Sequence, residues 1–132
     1  QLSRICSNLH ERADKVAIAK HFSLPPDEFI SWLHTINYVR NICAHHARLW
    51  NREIKIEPSV LRFSRDKIWI SNPGQAKRSK IYYTLCMINY LLQSVNPNSS
   101  FSERLKSLIS EYSPKLSAMG FPENWEREEI WK

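Results

Sequence analysis

Residues 27–48 read Asp27-Glu28-Phe29-Ile30-Ser31-Trp32-Leu33-His34-Thr35-Ile36-Asn37-Tyr38-Val39-Arg40-Asn41-Ile42-Cys43-Ala44-His45-His46-Ala47-Arg48. Phe29, Trp32, Leu33, Ile36, Val39, Cys43 and Ala47 recur at steps of three and four. That spacing puts one apolar stripe along a helix. Before it, Leu24-Pro25-Pro26 closes the preceding segment, because a residue ahead of proline avoids the helical region. Pro26 then suits the first helical position, and the acids Asp27 and Glu28 suit the positive end of the helix dipole. The pattern predicts one long helix over about Asp27–Arg48, around which the rest of the chain is organised.

Outward from that helix the chain keeps the same period. Leu2, Ile5, Cys6 and Leu9 have helical spacing, and Ala13–Phe22 reads as a short amphipathic helix. Downstream, residues 51–71 lose the period. Ile54 and Ile56 alternate with Lys55 and Glu57, Pro58 interrupts, and Lys67-Ile68-Trp69-Ile70 is short and apolar. An irregular loop is predicted over about 51–75, ending at the turn Asn72-Pro73-Gly74. Gln75–Val95 carries a broad apolar face of Ile81, Tyr82, Leu85, Cys86, Ile88, Leu91 and Leu92. Lys77, Arg78 and Lys80 at its start oppose the helix dipole and are expected to face solvent or a partner. Ser102–Tyr112 forms a further helix, capped near Ser100 or Ser102, with Leu105, Leu108 and Ile109 inward. Beyond Ser113-Pro114, the residues Leu116, Met119, Phe121, Trp125 and Trp131 make an aromatic tail expected to fold back over the bundle. The fold class is all-α, a helical bundle with one irregular loop and an aromatic C-terminal tail.

Composition agrees with this architecture. The 132 residues are 42% hydrophobic, enough for one domain with its own core, and the 2 glycines argue against a strand-and-turn fold. One domain, residues 1–132, is expected. It begins at Gln1 and is read as the C-terminal part of a longer protein. The formal net charge of +6 fits an anionic partner. Cys6, Cys43 and Cys86 are odd in number and widely spaced, so neither a disulfide framework nor a zinc ribbon is indicated. Each is expected to be a small buried thiol in a reducing compartment. No apolar run reaches transmembrane length; the cytoplasm is the expected location, with no membrane and no cofactor.

The polar end of the long helix is the chemically dense part. Residues 40–52, Arg40 to Arg52, hold three arginines, two histidines, two asparagines and a tryptophan. Polar groups that packing does not require mark a functional candidate. RNA cleavage without a metal needs a group that takes the ribose 2′-hydroxyl proton, one that stabilises phosphate charge and one that orients them. Histidine titrates near neutrality, arginine carries a permanent planar charge, and asparagine can orient either. Arg40, Asn41 and His45 supply these types. Asn41 and His45 share a face at i, i+4, and Arg48 and Arg52 are read as continuing it. Arg40 sits roughly 140° from His45 on an ideal helical wheel. A long arginine reaching round, or two copies of the helix facing across a dimer, would bring the two together. His46, Arg48, Asn51 and Arg52 are the candidate RNA contacts. Cys43, His45 and His46 have poor metal-ligand spacing with no fourth ligand nearby, so no metal site is assigned. The tryptophans sit at apolar positions and are read as core or dimer anchors.

The string Tyr38-Val39-Arg40-Asn41-Ile42-Cys43-Ala44-His45-His46-Ala47-Arg48-Leu49-Trp50-Asn51-Arg52 resembles the Abi-like abortive-infection proteins of the AbiD/AbiF type. Ser31-Trp32-Leu33-His34, Tyr82-Tyr83-Thr84-Leu85 and Met119-Gly120-Phe121-Pro122-Glu123-Asn124-Trp125 resemble the same family. Arg40-Asn41 to His45 also resembles the R-x4-6-H signature of the HEPN superfamily. The resemblance implies a HEPN-like bundle and a metal-independent endoribonuclease in phage defence or a toxin–antitoxin-like system. It implies Arg40 and His45 as the catalytic pair, Asn41 as the polar residue beside the arginine, and a homodimer whose two motifs face one cleft. RNA would be the substrate, with an antitoxin or regulatory RNA as a possible further partner. Two other readings remain open: a HEPN bundle that binds RNA or protein without cutting, and a dimerisation domain zipped along the long helix.

Overall fold

A computed structural model of the chain describes Arg4, Asn8 and residues 12–132. The helical reading of Leu2–Leu9 lies outside the described residues, apart from Arg4 and Asn8. Four α-helices follow: α1 (Arg12–His21), α2 (Pro26–Ala44), α3 (Ile81–Val95) and α4 (Phe101–Tyr112). Three short 3₁₀ turns, Leu116–Met119, Trp125–Arg127 and Glu129–Trp131, make the tail. No strand occurs among the described residues, so the all-α class holds.

The core is aromatic and lies between α2, α3 and the segment that joins them. Trp32 of α2 packs at a tilt of 34° against Trp69 of the connecting segment with ring centroids 5.0 Å apart, and both meet Tyr90 of α3 edge-on at 5.4 Å. Edge-to-face pairs of this kind add to the stabilisation from burial alone. The tail does fold back. Phe121 packs 4.6 Å from Tyr82, and Trp131, fully buried, donates its indole N–H to the Tyr82 hydroxyl at 3.3 Å. Asn89 of α3 fastens this layer by donating to the Ile130 carbonyl at 2.6 Å.

The connection from residue 45 to residue 80 is irregular throughout, longer than the 51–75 loop expected from sequence. Its backbone is satisfied by side chains instead of a ladder. Trp32 donates to the Ser59 carbonyl (3.0 Å), Thr35 to the Ile56 carbonyl (3.2 Å), and the Ser59 N–H donates to Ser31 Oγ (2.9 Å). Arg78 donates to the Pro58 carbonyl at 2.7 Å and pairs with Glu57 at 3.3 Å. Buried peptide groups must find partners, and here one face of α2 together with Arg78 supplies them.

Several sequence expectations need correction. The helix predicted over Gln75–Val95 begins only at Ile81, because Lys80 is extended (φ −111°, ψ 155°). Lys80 is held there by an ion pair to Glu53 at 2.6 Å, and the Ser79 carbonyl accepts from the Ile54 N–H at 2.7 Å. Lys77, Arg78 and Lys80 therefore lie outside the first helical turn, and two of the three bond to the chain itself. Leu108, expected inward, is half exposed, since the apolar side chains that α4 packs against the core are Phe101, Leu105 and Ile109. Cys86 is buried as expected, but Cys43 is exposed; Cys6 lies outside the described residues. No described helix is long and apolar enough to cross a membrane.

Candidate functional site

The last turns of α2 carry the first part of the motif. Val39 and Ile42, each 7% exposed, face inward, and burying such side chains contributes about 1.5–3 kcal/mol apiece. Val39 joins Ile54 and Ile81 in a small second core cluster, against which Tyr38, Leu49, Leu85 and Met119 pack. With that face fixed, Arg40 and Asn41 point to solvent. The structure brings these two together: Arg40 Nη1 donates to Asn41 Oδ1 at 3.0 Å.

The helix then stops earlier than its apolar stripe suggests, at Ala44 instead of Arg48. His45 is the C-cap (φ −91°, ψ 16°) and His46 adopts the left-handed conformation with φ 53°. The His46 N–H donates to the Cys43 carbonyl at 3.0 Å and the Ala47 N–H to the Ile42 carbonyl at 3.1 Å. These two reversed bonds define a Schellman ending, in which glycine usually occupies the left-handed position. A histidine there carries a backbone cost that a glycine would avoid. Leu49, packed on the second cluster, pulls the chain away from the helix axis.

This ending separates the predicted face. Arg48 and Arg52 do not continue the Asn41–His45 row, because residues 45–52 are no longer helical. His45, His46, Arg48 and Arg52 are exposed, and their side chains make no hydrogen bond or ion pair among the described residues. Asn51 is differently placed: its Oδ1 and its carbonyl accept from Lys80 Nζ at 3.3 and 3.5 Å, tying the loop to the start of α3. Glu53, beside it, is held below the usual carboxylate range, chiefly by the hydrogen bond from Lys80 and next by one from Ser79.

Sequence reasoning missed three residues that shape this region. Lys80 is the clamp just described. Gly120 sits against it with φ 85°, and a Cβ there would lie 2.5 Å from Lys80 Cβ; its Gly-Phe-Pro context was the available signal. Trp50, read as a core or dimer anchor, is 46% exposed, whereas the other four tryptophans are buried. The signal was that the apolar period ends at Ala47, leaving Trp50 among arginines.

Two clefts open elsewhere on the chain. One, of about 370 Å³, lies under the tail beside Ile70, Tyr82 and Phe121; the other, of about 540 Å³, lies between α1 and residues 60–66. Neither of these two is lined by a residue of 40–52; Arg40, Asn41, His45, His46, Arg48 and Arg52 are exposed on a single chain as a positively charged surface. Among the described residues, no three His, Cys, Asp or Glu side chains cluster as metal ligands would.

A family model described as Abi-like protein matches residues 1–51. The match takes in all of α2, the Arg40–His46 ending and Trp50, and it stops short of the stretches at 82–85 and 119–125. No curated protein matches the chain, and no solved structure does. Over the segment that carries the candidate site, the chain is similar to Abi-like proteins.

Proposed function

We propose that this chain is a HEPN-type endoribonuclease acting in abortive infection or a toxin–antitoxin-like system, with its site assembled from two copies. The observation that carries the reading is the exposed set Arg40, Asn41 and His45 at the end of α2, inside the Abi-like match. His45 takes the proton of a ribose 2′-hydroxyl. The 2′-oxygen forms a bond to the adjacent phosphorus, and the bond from phosphorus to the 5′-oxygen breaks. The imidazolium so formed at His45 returns its proton to that leaving oxygen, giving a cyclic phosphate and a 5′-hydroxyl. Arg40, oriented by its bond to Asn41, stabilises the charge on the crowded phosphate. Because the chemistry is proton transfer plus charge stabilisation, these side chains suffice without a divalent metal. His46, Arg48 and Arg52 hold neighbouring phosphates, while Asn51, occupied by Lys80, contributes through the loop it fixes. An antitoxin or regulatory RNA would act by covering this surface.

The open surface of a single chain supports the two-copy arrangement, since a second motif facing the first would supply the missing walls. It equally favours the rival reading, a HEPN module that binds RNA or a protein without cutting. Mixing two inactive variants distinguishes them. If Arg40 of one protomer works with His45 of its partner, Arg40→Ala and His45→Ala proteins are each inactive. Co-refolded, they regain about a quarter of wild-type cleavage, since about half the dimers are mixed and each has one intact site of two. No rescue refutes the shared site. No cleavage by the wild type gives the case to the binding module.

A further inference from the structure

We infer that Trp50 is a stacking platform for an unpaired base, which would make single-stranded RNA the form this site accepts. The inference deepens the proposed function and rests on the reading of residues 40–52 as an RNA site. Trp50 is 46% exposed where the other tryptophans are 0–9% exposed, so packing does not account for it. It is displayed by an ordered turn. The Ala47 N–H donates to the Ile42 carbonyl (3.1 Å), the Arg52 N–H to the Leu49 carbonyl (3.1 Å), and the Ile54 N–H to the Ser79 carbonyl (2.7 Å). Leu49 is anchored in the second cluster and Asn51 is bonded to Lys80, fixing both neighbours of the tryptophan. A ring held this way gives up little freedom on binding.

Charge indicates the class of partner. From Arg40 to Arg52 there is no acidic residue, and the next acid, Glu53, is engaged by Lys80 at 2.6 Å. Arg48 and Arg52, two residues either side of Trp50, have no counter-ion among the described residues. An exposed indole flanked by unneutralised arginines suits a base with phosphates on both sides. A dry contact between two copies centred on Trp50 would bury Arg48 and Arg52 of each chain against those of the other, whereas the proposed dimer leaves a cleft between its motifs in which RNA phosphates neutralise the arginines. Bases within a duplex are already stacked and offer no free face, so the preference is for single strands.

The test uses the His45→Ala protein in EDTA, so that binding is read without cutting. Fluorescence anisotropy is measured with a short labelled oligoribonucleotide, single-stranded and as a duplex, alongside cleavage by the wild type. Adding Trp50→Ala is expected to weaken single-strand binding by about 5- to 150-fold, the span of base–aromatic stacking, with little change for the duplex. Trp50→Phe should restore most of the loss, and circular dichroism should show both variants folded. Equal loss on both RNA forms, or no loss, overturns the inference. So does a fall in dimer content on sedimentation with no dependence on RNA form, which would identify Trp50 as an interface anchor. If the wild type cuts RNA while the Trp50 variants bind normally, the stacking role alone fails. If the protein neither cuts nor binds RNA, the proposed function fails and the stacking role with it.

Discussion

His46→Gly should stabilise the protein and weaken it as an RNA site. His46 holds φ 53° at the left-handed position that ends α2, which costs a residue with a Cβ about 1–2 kcal/mol. Glycine removes that cost but adds about 0.5–1 kcal/mol of unfolded-state entropy, leaving a net gain of about 0.5–1 kcal/mol. At about 2.1 cal/mol/K per residue, a chain of 132 residues unfolds with an entropy of ~0.28 kcal/mol/K, so the midpoint should rise by about 2–4 °C. The assay is thermal unfolding followed by circular dichroism. His46→Ala is the control, because alanine keeps the backbone cost and loses the imidazole. Its midpoint should stay within about 1 °C of wild type, while both variants lose RNA affinity if the imidazole contacts phosphate. A fall in midpoint for His46→Gly would refute the reasoning, since it would mean that the imidazole stabilises the fold by more than the backbone strain costs.

Three further outcomes follow from the same packing. Gly120→Ala should destabilise by about 2–5 kcal/mol, combining a left-handed backbone with a Cβ driven against Lys80; an unchanged denaturant midpoint would contradict the close approach. Under native conditions Cys43→Ser should remove one thiol reactive to a disulfide reagent and Cys86→Ser none, since Cys43 is exposed and burial pushes the Cys86 thiol up to about 12; native labelling of Cys86 would count against the core. The Glu53 carboxyl is held below its usual 4.5, so its contribution is present above that pH and is lost as pH falls through the lowered value. Melting curves across the acid range should therefore lose part of their pH dependence in Glu53→Gln, and identical slopes would argue against the Lys80 clamp.

The stripe from Phe29 to Val39 made α2 legible because burial along one helical face leaves a periodic trace. Its end was not legible, since a histidine in place of glycine gives no punctuation and the stop is made by Leu49 joining a cluster with Ile54 and Ile81. The late start of α3 has a similar cause. Lys80 is held extended by Glu53 and by the chain around Asn51, partners 27 and 29 positions away that no local pattern reveals. The long connection hides its order for the same reason, being fixed by Trp32, Thr35 and Ser31 across separations of 21 to 28 residues. Within the site the residue types could be read in advance; the bond between Arg40 and Asn41 and the exposure of Cys43 could not, since the helical row set Asn41 beside His45 and the apolar stripe took in Cys43. Which groups leave the helix, and that Trp50 faces water, depended on where α2 breaks.

The central claim is cleavage by side chains alone at the end of α2. It is tested most directly by incubating purified protein with total RNA in EDTA, wild type beside His45→Ala, and identifying the new RNA ends. The account predicts cyclic phosphate and 5′-hydroxyl ends from the wild type, and a loss of about 100-fold or more with the substitution. Cleavage that disappears on chelation, or that survives without the imidazole at position 45, would contradict it.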